Sequence, residues 1–146
     1  LFSKNLKQFK QEIDRRLEQW NQKLAPYEGA TIVAYHDQWP YFAEQFGLNI
    51  AGFMEPKPGI PPTPSQLAKV IQMMNQQDIG VIIIAPYYKT DSAELVAKRT
   101  DAEVVRMASS VGSYDGVESY FDVFDYNVNH LIKALEATGA ASSGGE

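Results

Sequence analysis

Ile79-Gly80-Val81-Ile82-Ile83-Ile84 is an almost unbroken β-branched run. Val and Ile suit the pleated backbone, and a run without polar alternation fits a strand covered on both faces, the usual state in a parallel sheet. This segment is therefore expected as the central strand. A parallel neighbour requires a crossover of a dozen or more residues, usually a helix. Both flanks of the run offer such crossovers.

Upstream, Leu67, Val70, Ile71 and Met74 share one face of a helix that Thr63 or Ser65 can cap and that runs to about Gln76. Four of the six residues Lys57 to Pro62 are Pro or Gly, which makes a stiff loop poor in backbone donors. Before it, Leu48 to Phe53 form a strand weakened by Gly52. Trp39 to Phe46 form a short helix with Pro40 in its first turn, closed by Gly47. Thr31 to Tyr35 form the first strand. Downstream, Asp91 or Ser92 caps a helix over Ala93 to Arg99, and Glu103 to Met107 form the last strand. Val117, Tyr120, Phe121, Phe124, Val128, Leu131 and Leu135 mark the last helix.

Strands thus alternate with helices. The expected fold is α/β: a four-stranded parallel sheet in the order 2-1-3-4, with right-handed crossovers and helices on both faces. A long amphipathic helix precedes it. Phe2, Leu6, Phe9, Ile13, Leu17, Trp20 and Leu24 recur every three or four residues, and Pro26 and Gly29 end the pattern. This helix either packs on the domain or connects it to another.

The 146 residues suffice for one domain with a real core. A net charge of −5 without a basic stripe argues against nucleic acid or an anionic membrane as partner. No apolar run approaches the roughly 20 residues of a membrane span. The absence of cysteine removes disulfides, thiolate metal sites and cysteine nucleophiles.

His36 is one of two histidines and follows the first strand directly. Open α/β sheets keep their ligands at the carboxyl ends of strands, at the point where strand order reverses. That order places the switch between the first and third strands, with His36 beside Tyr87 and with Glu55 and Ser109–Ser110 flanking. A neutral imidazole there is a metal ligand or a base. Asp37 is a second ligand, a hydrogen-bond acceptor behind one, or most simply the cap of the short helix. His130 falls beside the apolar stripe of the last helix and reads as a surface residue. No nucleophile elbow, P-loop or dinucleotide fingerprint is present. An enzyme with His36 as base, assisted by Ser110 or Asp37, and a metal-free binding module are the alternatives to a metal site.

Val33-Ala34-Tyr35-His36-Asp37-Gln38-Trp39-Pro40-Tyr41-Phe42-Ala43-Glu44-Gln45-Phe46-Gly47-Leu48 resembles the histidine segment in the C-terminal lobe of solute-binding proteins of zinc and manganese ABC importers. Glu55-Pro56-Lys57-Pro58-Gly59-Ile60-Pro61-Pro62, Pro86-Tyr87-Tyr88, Ser109-Ser110-Val111-Gly112 and Tyr120-Phe121-Asp122-Val123-Phe124-Asp125-Tyr126-Asn127 follow in that family's order. The resemblance implies a non-enzymatic extracytoplasmic or periplasmic receptor, membrane-associated in full length, that delivers metal to a membrane permease. It implies that residues 1–27 are the helix linking two lobes and residues 28–138 the metal-binding C-terminal lobe. Residues 139–146, rich in Ser and Gly, read as a disordered tail. On the resemblance, the N-terminal lobe is absent, and His36 is this lobe's ligand. Where many members place a liganding Asp, this chain has Ser109, a weak ligand for zinc. A water, Asp37, Asp115 or a group of the other lobe would then complete the site. Imidazole favours zinc, with manganese the second choice. With one good ligand, the lobe alone is expected to bind zinc weakly.

Overall fold

The computed structural model describes residues 2–139, leaving aside the side chain of Phe2. Apart from Gly139, the expected disordered tail lies outside the described residues. The elements in order are helix α1 (Phe2–Leu24), a 3-10 turn (Ala25–Tyr27), β1 (Thr31–Ala34), α2 (Pro40–Phe46), β2 (Asn49–Phe53), α3 (Pro64–Gln77), β3 (Val81–Ile84), α4 (Asp91–Thr100), β4 (Glu103–Arg106) and α5 (Tyr120–Ala137). The sheet order is β2-β1-β3-β4 and every pairing is parallel, as expected.

The run at residues 81–84 is fully covered because successive side chains point to opposite faces of the sheet. Val81 and Ile83 join one core with Trp20, Leu24, Trp39, Phe46, Val128 and Leu131, so α1, α2 and α5 cover that face. Ile82 and Ile84 join the other with Leu67, Val70, Met74, Ala93 and Val96, so α3 and α4 cover the opposite face. The β1–β2 pairing contains a bulge. Ile32 faces Ile50 but Val33 faces Gly52, so Ala51 is the extra residue. A Cβ on Gly52 would come within 3.3 Å of the Met73 methyl, so a larger residue would press on α3.

Local hydrogen bonds decide three helix starts, the first within expectation and the other two against it. Thr63, not Ser65, caps α3 in a reciprocal capping box with Gln66. Neither Asp91 nor Ser92 caps α4. Thr90 is its N-cap residue and spends its hydroxyl on the Glu94 carboxylate, 3.1 Å away. The last helix starts at Tyr120 because Ser119 and Asp122 form a second capping box, which leaves the buried Val117 in the preceding loop.

α1 is tied to α5 by its second half. Trp20 stacks on Phe124 at 4.8 Å between ring centroids, and its indole N–H donates to Asp125 at 2.6 Å. Arg16 reaches the same carboxylate at 3.1 Å. Earlier in the helix, Leu6 and Phe9 remain exposed, although Phe9 lies 6.0 Å from the Phe121 ring. Among the described residues no helix is long and apolar enough to cross a membrane.

Candidate metal centre

The ends of β1 and β2 build the site. The ladder continues past both strands: Tyr35 donates to the Ile83 carbonyl at 2.8 Å, and Glu55 donates to the Tyr35 carbonyl at 3.0 Å. The first residue released beyond Tyr35 is His36. Its Nδ1 lies 2.7 Å from Glu55 Oε2. Glu55 is one of the two buried polar residues among those described. Its side chain is 5% exposed against 21% for His36, so the carboxylate sits behind and the imidazole in front. The two line a small cavity of about 150 Å³ with Asp37, Phe53, Pro56, Lys57 and Pro58.

Aromatic rings wall the pair. The ring beside His36 is Tyr88, at 5.5 Å, rather than the expected Tyr87. Tyr87 points outward and donates its hydroxyl to Gln38 at 2.6 Å. Tyr88 also packs on Tyr35 at 4.8 Å. Burial pushes the phenols of Tyr35 and Tyr88 above their ordinary range, and the Glu55 charge adds in the same direction.

Of the candidate residues, the fold brings His36 and Asp37 to one cavity and separates the rest. Asp37 is exposed and does not cap α2, whose N-cap residue is Trp39 without a side-chain cap bond. Two residues lie between Asp37 and the first helical residue, too many for capping. Ser109 lines a different groove with Trp39, Tyr41, Phe124 and Asn127. The Ser109 and Ser110 backbone N–H groups donate to Ser113 Oγ at 3.2 and 3.1 Å. The hydrogen bond from Ser110 to His36 that an enzyme would need is not among those of the described residues. Asp115 is exposed in the loop before α5. His130 is exposed on α5 and stacks on Tyr126, matching its reading as a surface residue. Among the described residues no three His, Cys, Asp or Glu side chains gather as a metal cluster.

Glu55 is the site residue that sequence reasoning placed nearby without assigning it a role. The signal was present. It lay in residue type alone, since an acidic side chain closing an apolar strand is unusual, whereas the bulge is what brings Glu55 level with His36.

What the fold and site define is a doubly wound α/β domain that presents one imidazole, backed by a buried carboxylate, at its strand ends. The family model for the periplasmic component A of the zinc-uptake complex matches residues 1–134, and the chain belongs to that family of uptake components, which are not enzymes. The chain is 22% identical over 141 residues to the manganese-binding lipoprotein MntA of Halalkalibacterium halodurans, covering 92% of this chain and 47% of that protein. It is 23% identical over 104 residues to the high-affinity zinc uptake system protein ZnuA of Haemophilus influenzae, covering 71% of this chain and 31% of that one. Among solved structures, the laminin-binding protein Lmb of Streptococcus agalactiae, described as a bifunctional adhesin and metal transporter, superposes with a TM-score of 0.76 at 25% identity. That match covers 92% of this chain and 52% of that one. The chain thus spans about half the length of these relatives or less.

Proposed function

We propose that this chain is the C-terminal lobe of an extracytoplasmic receptor that captures a divalent transition metal, zinc before manganese, and hands it to the permease of an ABC importer. The observation that carries the reading is His36, placed at a strand end with Nδ1 engaged and Nε2 without a partner among the described residues. The imidazole fits zinc, for which nitrogen at about 2.0–2.1 Å is a preferred ligand. Family membership and the zinc- and manganese-binding relatives support a metal as cargo.

One imidazole and the nearby Asp37 leave a tetrahedral ion short of ligands, so the remaining ligands come from a second lobe. Ser109 lines a different groove, and neither it nor Asp115 lines the His36 cavity. The same division assigns residues 1–27 as the helix linking two lobes and residues 28–138 as the lobe itself. Leu6 and Phe9, exposed on the first turns of α1, support a neighbour beyond the described residues. The test is a zinc titration of the full-length protein and its His36→Ala variant. Losing a ligand is expected to weaken binding by more than the roughly 10–100-fold that loss of a ligand's hydrogen-bond partner costs. Unchanged affinity would overturn the assignment.

A further inference from the structure

We propose that Glu55 is a positioning residue for the metal site: it holds His36 in the tautomer and ring orientation that present Nε2 to the ion, and it does not bind the ion itself. The inference rests on the reading of His36 as a ligand and adds a role for a residue outside that reading.

A carboxylate accepts hydrogen bonds and does not donate them. The 2.7 Å contact between Glu55 Oε2 and His36 Nδ1 therefore places a proton on Nδ1 and leaves the lone pair on Nε2. A neutral imidazole has two tautomers, and only this one can ligate through Nε2. An Nδ1–H donated to a carboxylate also makes the ring a stronger donor to a metal. With Oε2 on Nδ1, the Glu55 carboxylate lies on the side of the ring away from Nε2. The two ring nitrogens face away from each other, and an ion on Nε2 lies beyond the roughly 2.0–2.2 Å of a Zn–O bond from Oε2.

The surroundings of Glu55 fix it in place. Its N–H is held by the carbonyl of Tyr35, the residue before His36. The bulge at Ala51 sets the register that brings residues 36 and 55 abreast. Pro56 and Pro58 stiffen the chain that follows. The carboxylate is buried close to Tyr35 and Tyr88, and its side-chain hydrogen-bond partner among the described residues is the imidazole.

The experiment has two readouts on the parent, Glu55→Gln and Glu55→Ala. The first is the nitrogen NMR signature of the histidine tautomers in the metal-free chain, which has only two histidines. His36 should be the Nδ1–H form in the parent and in Glu55→Gln, whose amide oxygen still accepts. It should become a mixture in Glu55→Ala, while His130, bonded to the Tyr126 carbonyl, stays unchanged. The second is affinity of the full-length protein for zinc alone. Glu55→Ala should lose about 10–100-fold, with Glu55→Gln between it and the parent.

An Nε2–H tautomer in the parent overturns the inference outright. A tautomer change with unaltered zinc affinity also overturns it, and if His36→Ala still weakens binding, the metal reading survives. If neither His36→Ala nor Glu55→Ala changes affinity, the metal reading itself has failed. A lowered melting temperature with His36 still in the Nδ1–H form would mark Glu55 as merely structural and overturn the inference as well.

Discussion

The indole N–H of Trp20 donates to Asp125 at 2.6 Å, joining the long first helix to the last. Trp20 is buried, and Arg16 reaches the same carboxylate. Asp125→Ala leaves a buried N–H without an acceptor, a loss of about 1–3 kcal/mol. Denaturant unfolding should show that loss, with Asp125→Asn milder because its amide oxygen still accepts. Equal midpoints for parent and Asp125→Ala would show that the helix is held by apolar packing alone.

Asn127 closes both hydrogen bonds of the Ala108 backbone, accepting from its N–H at 2.6 Å and donating to its carbonyl at 2.9 Å. Asn127→Ala strands two buried groups, each costing about 1–3 kcal/mol. It should also speed hydrogen exchange at the Ala108 amide. Asn127→Asp keeps the accepted bond and loses the donated one, so exchange there should stay slower than in Asn127→Ala. The same exchange rate in all three proteins would refute the tether.

Asp122 predicts a pH dependence. Hydrogen bonds from the Glu118 backbone and the Ser119 side chain hold its carboxyl below the ordinary aspartate range. A depressed folded-state pKa stabilises fully above the unfolded value, and that contribution fades as pH falls through the folded value. Asp122→Asn should therefore be less stable than the parent near neutrality, with the gap closing below about pH 4. Thermal melts across pH check this, and a gap that stays constant into strong acid would contradict it.

The strand framework was legible because it rests on side-chain period and chain order. Ile82 and Ile83 had to face opposite layers, and with the order 2-1-3-4 right-handed crossovers put helices on both faces. Helix starts were less legible. Near residues 90–92 and 117–122 several polar side chains compete to cap, and hydrogen bonds too local for periodicity choose the winner. His36 was legible as a strand-end group. Its bond to Glu55 was not, because it depends on the bulge. With Val33 facing Ala51 instead of Gly52, Glu55 would fall opposite Asp37. Further ligands for His36 were not legible, and among the described residues no three His, Cys, Asp or Glu side chains gather as a metal cluster.

Titrated alone, this chain should bind zinc weakly, since a closed zinc site wants four ligands and the chain offers His36 with Asp37 beside it. Calorimetry showing tight one-to-one binding that survives His36→Ala would contradict the division of the site between two lobes.

The central claim, that His36 is this lobe's metal ligand, is tested most directly by anomalous diffraction at the zinc edge from crystals of the zinc-loaded full-length protein. The account predicts a single strong peak at about 2.0–2.1 Å from His36 Nε2, with Nδ1 still on Glu55. A peak on Nδ1, or a bound zinc that does not touch His36, would contradict it.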